Sequence, residues 1–319
     1  ERAYSVVPYT SKALVAILGG IEPRPGLALT ESFPGGMPGR CLADLLGEQG
    51  YQTVYFQSAT KTFEDRGRLV RNLGFADFFP GDEMDHEGFE RSNYFGYEDD
   101  IMLAPSRRWL ETHGRKPFFA SYLTIAPHHD YLAPSGRYGR QQFDTDPARN
   151  RWLNAIRNQD FFLRHLFQQY QELGLVENTV FVIVGDHGEG FGEHGRNTHA
   201  EIMWNEVLHV PMIVHDLSQA LSTRITHPVT QLDIVPTVLD LLGFDVASGT
   251  YAGQSIFAEQ RDRLIMAACY ADNKCAAVVD GNWKFIHHFN LRPDELFDLT
   301  SDVQESRNLA DLYVGQIQQ

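Results

Sequence analysis

The chain has 319 residues, 43% hydrophobic and 22% charged, enough for one large α/β domain or for such a domain with a small appendage. Its 42 acidic against 27 basic residues give a formal charge of −15, which argues against nucleic acid as a partner, since phosphate binding needs a basic face. No apolar run approaches the ~20 residues of a membrane span, no signal peptide is visible, and three cysteines are too few for a disulfide framework.

Residues 10–18 are apolar at helical spacing and stop at Gly19-Gly20. Pro23, Pro25, Pro34 and Pro38 then mark a loop. Residues 40–47 read as a helix with Cys41 in its core, and 52–57 as a strand. Residues 81–96 are irregular and acidic; 101–111 read as a helix; 117–125 form a strong strand that runs into Ala126-Pro127-His128-His129. Residues 149–173 make a long amphipathic helix, followed by Gly174 and the buried strand 180–184. His209 leads into another apolar run, 210–214, and belongs to that strand. Residues 264–270, 276–279 and 283–287 are short strands, with Asp280-Gly281 as a two-residue hairpin turn. Cys269 and Cys275 are close enough to bridge a hairpin in an oxidising compartment, and two free thiols fit the sequence equally well. The alternation predicts an α/β fold, a doubly wound and mostly parallel sheet with helices on both faces, over residues 1–261. A small antiparallel sub-domain follows over 262–319.

Three stretches carry chemistry. Strand 180–184 ends at Gly185 and delivers Asp186 and His187 into a glycine-rich turn, with His194 and His199 just beyond. Ligands in open α/β sheets sit at the carboxyl ends of strands. A carboxylate oxygen beside an imidazole nitrogen suits zinc or manganese, although an Asp that caps the next helix beside a surface His has the same pattern. Thr10-Ser11-Lys12 opens the first helix. It reads either as an N-cap or as a nucleophile whose developing alkoxide is stabilised by the helix dipole, a metal and Lys12. A phosphate or sulfate group suits that position. His128-His129-Asp130-Tyr131 leaves strand 117–125 as Asp186-His187 leaves its own, so both clusters are expected on one sheet edge. Their roles would be oxyanion contact or proton donation to a leaving group, against the alternative of a plain surface loop. Residues 94–97 and Trp109 read as aromatic core in preference to a substrate groove.

These pieces resemble the sulfatase branch of the alkaline phosphatase superfamily. The resemblance rests on Asp186-His187-Gly188-Glu189, on Val210-Pro211-Met212-Ile213-Val214 and on His128-His129. Glu295-Leu296-Phe297-Asp298-Leu299 with Asn308-Leu309-Ala310 completes it. Sulfatases carry their nucleophile in C/S-x-P-x-R before a helix-ending Gly, and the matching place here is Thr10, in Thr10-Ser11-Lys12. A threonine is similar instead to lipoteichoic-acid synthases and phosphoethanolamine transferases, which pass through a phospho-threonine. His199 lies close to the place of a sulfatase lysine, and a His there again favours phosphorus.

The resemblance implies a metal-dependent phosphoester hydrolase or phospho-headgroup transferase. A divalent ion (Mn, Zn, Ca or Mg) would be held by Asp186, His187 and Thr10. Thr10 would attack in line, while Lys12, His128, His129 and His199 bind non-bridging oxygens or protonate the leaving group. The substrate class is a small-molecule, lipid or glycan ester. Residues 1–261 would be the catalytic domain without the family's first strand and its acidic ligand, because only nine residues precede Thr10. The expected location is the periplasmic or extracellular face, with an inner-membrane anchor in a missing N-terminal region. Sulfate-ester hydrolysis and an inactive member acting as a binding module stay open as alternatives.

Overall fold

The computed structural model describes residues 2–217, 223–247, 249–258, 263–270 and 274–313. The chain forms two compact units. One comprises Glu1–Leu42, Phe181–His215 and Ala220–Gln319; the other comprises Ala43–Val180 with Asp216–Gln219. The boundary expected between residues 261 and 262 lies outside the described residues. The architecture is α/β, as the alternation of strand and helix predicted.

In the second unit, Gln52–Gln57 is the central strand of three, with Asp77–Pro80 and Phe118–Leu123 parallel on either side. Val54, Tyr55 and Phe56 are completely buried, as a central strand covered on both faces requires. Asp77–Pro80 escapes the sequence reading because it is short and ends in a proline, which only an edge strand tolerates. Pro147–Glu172 is the long helix; Asp146 caps it by accepting from the Arg149 N–H at 2.7 Å, with Pro147 in the first turn. It buries Ala155, Phe162, Leu166 and Tyr170 on one face.

In the first unit, Ala3–Tyr4 lies between His209–Val210, antiparallel, and Val229–Thr230, parallel. Phe181–Val184 pairs antiparallel with Met212–His215, Val184 opposite Met212. The run 210–214 is therefore broken at Pro211, which has no N–H to give to a ladder. Helix Thr10–Gly19 is buried from Ser11 onward and stops at Gly20, whose φ of 62° favours glycine. Helix Ile234–Leu241 was not foreseen, although the capping box of Thr230 and Asp233 announces it.

The C-terminal strands Ile265–Ala268, Ala276–Asp280, Trp283–His287 and Glu295–Asp298 form an antiparallel meander. Asp280 pairs with Trp283, so the hairpin turns on Gly281-Asn282, one residue later than expected. Cys269 and Cys275 are joined by a disulfide, and Cys41 is a buried free thiol. Ile265, Ala267, Ala277, Val279, Ile286 and Phe297 share one hydrophobic cluster with Tyr4, Met203, Trp204, Val207 and Leu208. The sheet is thus packed on the segment that follows the Asp186-His187 turn.

Candidate active site

Thr10, Lys12, Asp186, His187 and His199 all fall in the first unit; His128 and His129 fall in the second. Thr10 is the first residue of its helix, and the preceding Tyr9 makes no side-chain cap. The Thr10 hydroxyl donates to Asp186 Oδ2 at 2.6 Å and lies 3.4 Å from His187 Nε2. Asp186 Oδ2 and His187 Nε2 are themselves 3.4 Å apart. The His187 Nδ1–H donates to the Gly188 carbonyl at 2.8 Å, which leaves Nε2 as the lone-pair nitrogen facing Thr10 and Asp186.

Burial pushes the Asp186 carboxyl up, but the His187 ring and the hydrogen bonds from Thr10 and the His187 amide outweigh it and hold it below its ordinary value. Burial lowers His187, more than neighbouring Asp186 restores. A carboxylate beside a neutral imidazole is the protonation state that a metal needs.

These three donor atoms can be set against the shell of a divalent ion. Metal–ligand bonds of ~2.1 Å put neighbouring donors ~3.0 Å apart in an octahedron and ~3.4 Å in a tetrahedron. The two 3.4 Å separations equal the tetrahedral edge, while the 2.6 Å between Thr10 and Asp186 is a hydrogen-bond distance shorter than either edge. Among the described residues, no cluster of three or more His, Cys, Asp or Glu is arranged for a metal.

The turn is shaped from below. Gly188 donates to the Val207 carbonyl at 2.8 Å, and Gly185 to the Pro211 carbonyl at 3.0 Å. The His199 ring stacks on His187, centroids 4.0 Å apart, and its Nδ1 lies 3.3 Å from Glu189 Oε1. Lys12 is fully buried, and its ammonium donates to Glu31 Oε2 at 2.8 Å and to the Ala28 carbonyl at 3.0 Å. Its charge is thus committed to the loop after the helix. Glu31 went unremarked in the sequence; only a carboxylate inside a proline-rich loop hinted at it. Burial raises its carboxyl, but the Lys12 hydrogen bond and two backbone N–H groups hold it below its ordinary value.

In the second unit, His128 Nδ1 lies 2.6 Å from the His129 carbonyl, and the His128 ring stands edge-on to Phe95 at 4.7 Å. Phe95 is buried while Tyr94 is exposed, so only part of the 94–97 stretch is core; Trp109 is buried. Asp99 shapes the turn before His128, accepting from Ser58 at 2.5 Å and from the Ile125 and Ala126 N–H groups at 2.8 and 3.2 Å. Burial pushes its carboxyl up to about 6. A residue absent from the sequence reading also stands out here: Arg66 is buried and paired with Glu64 at 3.1 Å, just after two non-glycine residues of positive φ, Glu64 and Asp65. Such strain collects where a fold holds a side chain for use.

A family model described as Sulfatase matches residues 1–244. The lipoteichoic acid synthase-like protein YvgJ of Bacillus subtilis is 25% identical over 228 residues, 68% of this chain and 36% of that protein. Phosphoglycerol transferase I of Xanthomonas axonopodis pv. citri is 29% identical over 153 residues, 46% of this chain and 22% of that protein. The crystal structure of the lipoteichoic acid synthase LtaP from Listeria monocytogenes superposes with a TM-score of 0.78 at 18% identity, covering 96% of this chain and 78% of that one. The chain spans about a third of the length of the lipoteichoic acid synthases it matches.

Proposed function

Because this chain belongs to the sulfatase family of the alkaline phosphatase superfamily, we propose that it transfers or hydrolyses a phosphorus-linked headgroup through Thr10. The observation that carries this reading is the Thr10 hydroxyl, set at a helix N-terminus within 2.6 Å of Asp186 and 3.4 Å of His187. Asp186, His187 and Thr10 are the residues that would hold a divalent ion. Bound there, the ion would lower the pKa of a hydroxyl and polarise a phosphoryl oxygen.

Asp186 accepts the Thr10 hydrogen bond and so holds Oγ1 beside His187. Thr10 Oγ1 attacks phosphorus; the new O–P bond forms as the ester P–O bond breaks, and the proton that Thr10 gives up ends on the departing alkoxide. The helix dipole favours the negative charge that gathers there. An acceptor alcohol or water then attacks phosphorus, gives up its proton and restores the Thr10 hydroxyl. His199 keeps the His187 ring in place by stacking on it, and Lys12 fixes the loop after the helix through Glu31.

Relatives named as lipoteichoic acid synthases and a phosphoglycerol transferase favour a phosphoglycerol-type headgroup and a lipid or glycan acceptor. Thr10 itself weighs against sulfate, since the sulfatase nucleophile is made from Cys or Ser. The Cys269–Cys275 disulfide suits an extracytoplasmic face. Among the described residues, no helix is long and apolar enough to cross a membrane.

The test is turnover of an aryl phosphodiester, an aryl phosphomonoester and an aryl sulfate, with manganese, zinc, calcium or magnesium, by the protein and its Thr10→Ala variant. Metal-dependent release from a phosphorus ester, abolished by Thr10→Ala, with a phosphorylated Thr10 peptide by mass spectrometry, is the expected result. Sulfate turnover, or full activity in Thr10→Ala, would overturn the reading. Metal uptake without turnover of any ester would favour a binding module.

A further inference from the structure

The geometry points to Gln231 as a positioning residue that fixes the angle between Asp186 and His187 and ties their turn to the segment leading into Thr10; the inference rests on the metal-holding role proposed above. Gln231 is completely buried, at the start of the short helical turn Gln231–Asp233. Its amide nitrogen donates twice, to the Gly185 carbonyl at 2.9 Å and to the Asp186 carbonyl at 2.6 Å. Its amide oxygen accepts from the Val6 N–H at 3.3 Å. Ser5, also completely buried, donates its single hydroxyl hydrogen to the same Asp186 carbonyl at 2.7 Å.

The doubly bonded carbonyl is the one that matters. It belongs to the peptide that joins the Cα atoms of Asp186 and His187. A peptide plane is rigid, so its tilt sets where the carboxylate and the imidazole point relative to each other. Two donors on one carbonyl lock that tilt. They also polarise the peptide, strengthening the His187 N–H that donates to Asp186 Oδ1 at 2.9 Å. The opposite end of the same amide grips Val6, four residues before Thr10. One side chain therefore links the turn that bears Asp186 and His187 to the segment that leads into Thr10, and neither a hydrocarbon nor an acid of the same size can replace it. Glutamate has no N–H and would set an oxygen against two carbonyls.

The test compares Gln231→Glu, Ser5→Ala and Thr237→Val with the unaltered protein. Thr237 is a control for stability: it is buried and bonds to the Asp233 carbonyl at 2.6 Å and the Ile256 N–H at 3.0 Å, neither of which belongs to the Asp186-His187 turn. Each metal-stripped protein is titrated with Mn²⁺, free ion being read by electron paramagnetic resonance, and its thermal midpoint is taken without metal. Gln231→Glu is expected to weaken Mn²⁺ binding about 10–100-fold, the usual cost of losing such a supporting hydrogen bond. Ser5→Ala should shift it less, in the same direction, while Thr237→Val lowers the midpoint and leaves the affinity unchanged. Wild-type affinity in both Gln231→Glu and Ser5→Ala would overturn the inference while leaving the metal reading intact. An equal loss of affinity in Thr237→Val would reduce Gln231 to general stability. No Mn²⁺ uptake by the unaltered protein would overturn the metal reading and the inference with it.

Discussion

Removing the Lys12 ammonium while keeping its volume should unbalance the whole entrance to the first helix. Lys12 and Glu31 are both buried and their charged atoms are 2.8 Å apart. At an effective dielectric of ~20 the attraction at that distance is about 6 kcal/mol, set against the cost of desolvating both ions. Lys12→Met fills the same space but strands the Glu31 carboxylate, so the loss should be about 3–5 kcal/mol, on the order of 10 °C in thermal midpoint. Lys12→Met with Glu31→Gln removes the stranded charge and should recover most of that loss. The pH dependence should weaken as well. In the unaltered protein the Glu31 carboxyl is held low, so its stability is present above the ordinary glutamate value and lost as pH falls through the lowered one. In Lys12→Met only the two backbone N–H groups still oppose burial, so the carboxyl should move up and the stability lost on acidification should shrink. Calorimetric melts of the three variants from pH 4 to 8 read both effects. A single variant that costs less than about 1 kcal/mol, or a double variant less stable than the single, would refute the reasoning.

Gly188→Ala should destabilise the first unit by about 1–3 kcal/mol and abolish Mn²⁺ binding, because a Cβ there would run into the Glu206 backbone carbonyl; urea melts and metal titration check it. His194 donates to Glu206 at 2.7 Å and to the Glu305 carbonyl at 3.0 Å, two acceptors that a doubly protonated ring satisfies together. Burial lowers its pKa, but Glu206 and then the Glu305 carbonyl outweigh that and raise it above 6.5. Its contribution to stability is therefore complete below pH 6.5 and lost as pH rises through the raised value, and melts of His194→Gln should lack that alkaline loss. Asp99 should titrate near 6 by carbon NMR; its raised value means that stability present below pH 3.8 is lost as pH rises through about 6.

Much of this protein is written locally. Helix Thr10–Gly19, strand Gln52–Gln57 and the body of helix Pro147–Glu172 follow from apolar spacing and a glycine stop, while that last helix starts at Pro147, two residues before the expected 149. Thr10, Asp186 and His187 stand out as candidates because each sits at an element end, and the fold sets their polar atoms within 3.4 Å of one another. What the sequence left open depended on residues far apart in the chain. Lys12 reads as an oxyanion ligand beside Thr10, and its pairing with Glu31 shows only in the folded chain. Cys269 and Cys275 stay ambiguous until the sheet edge brings them together. The hairpin at Gly281 moves by one residue because cross-strand packing, not turn propensity, sets its register. Gln231 carries no local signal at all: a glutamine after a threonine has no spacing rule, and its four buried neighbours come from residues 5–6 and 185–186. Local propensity is set by neighbours in sequence, and so it can be read from them. The partner of a buried polar group is chosen by the requirement that every desolvated donor and acceptor be satisfied, and only the assembled tertiary structure meets it.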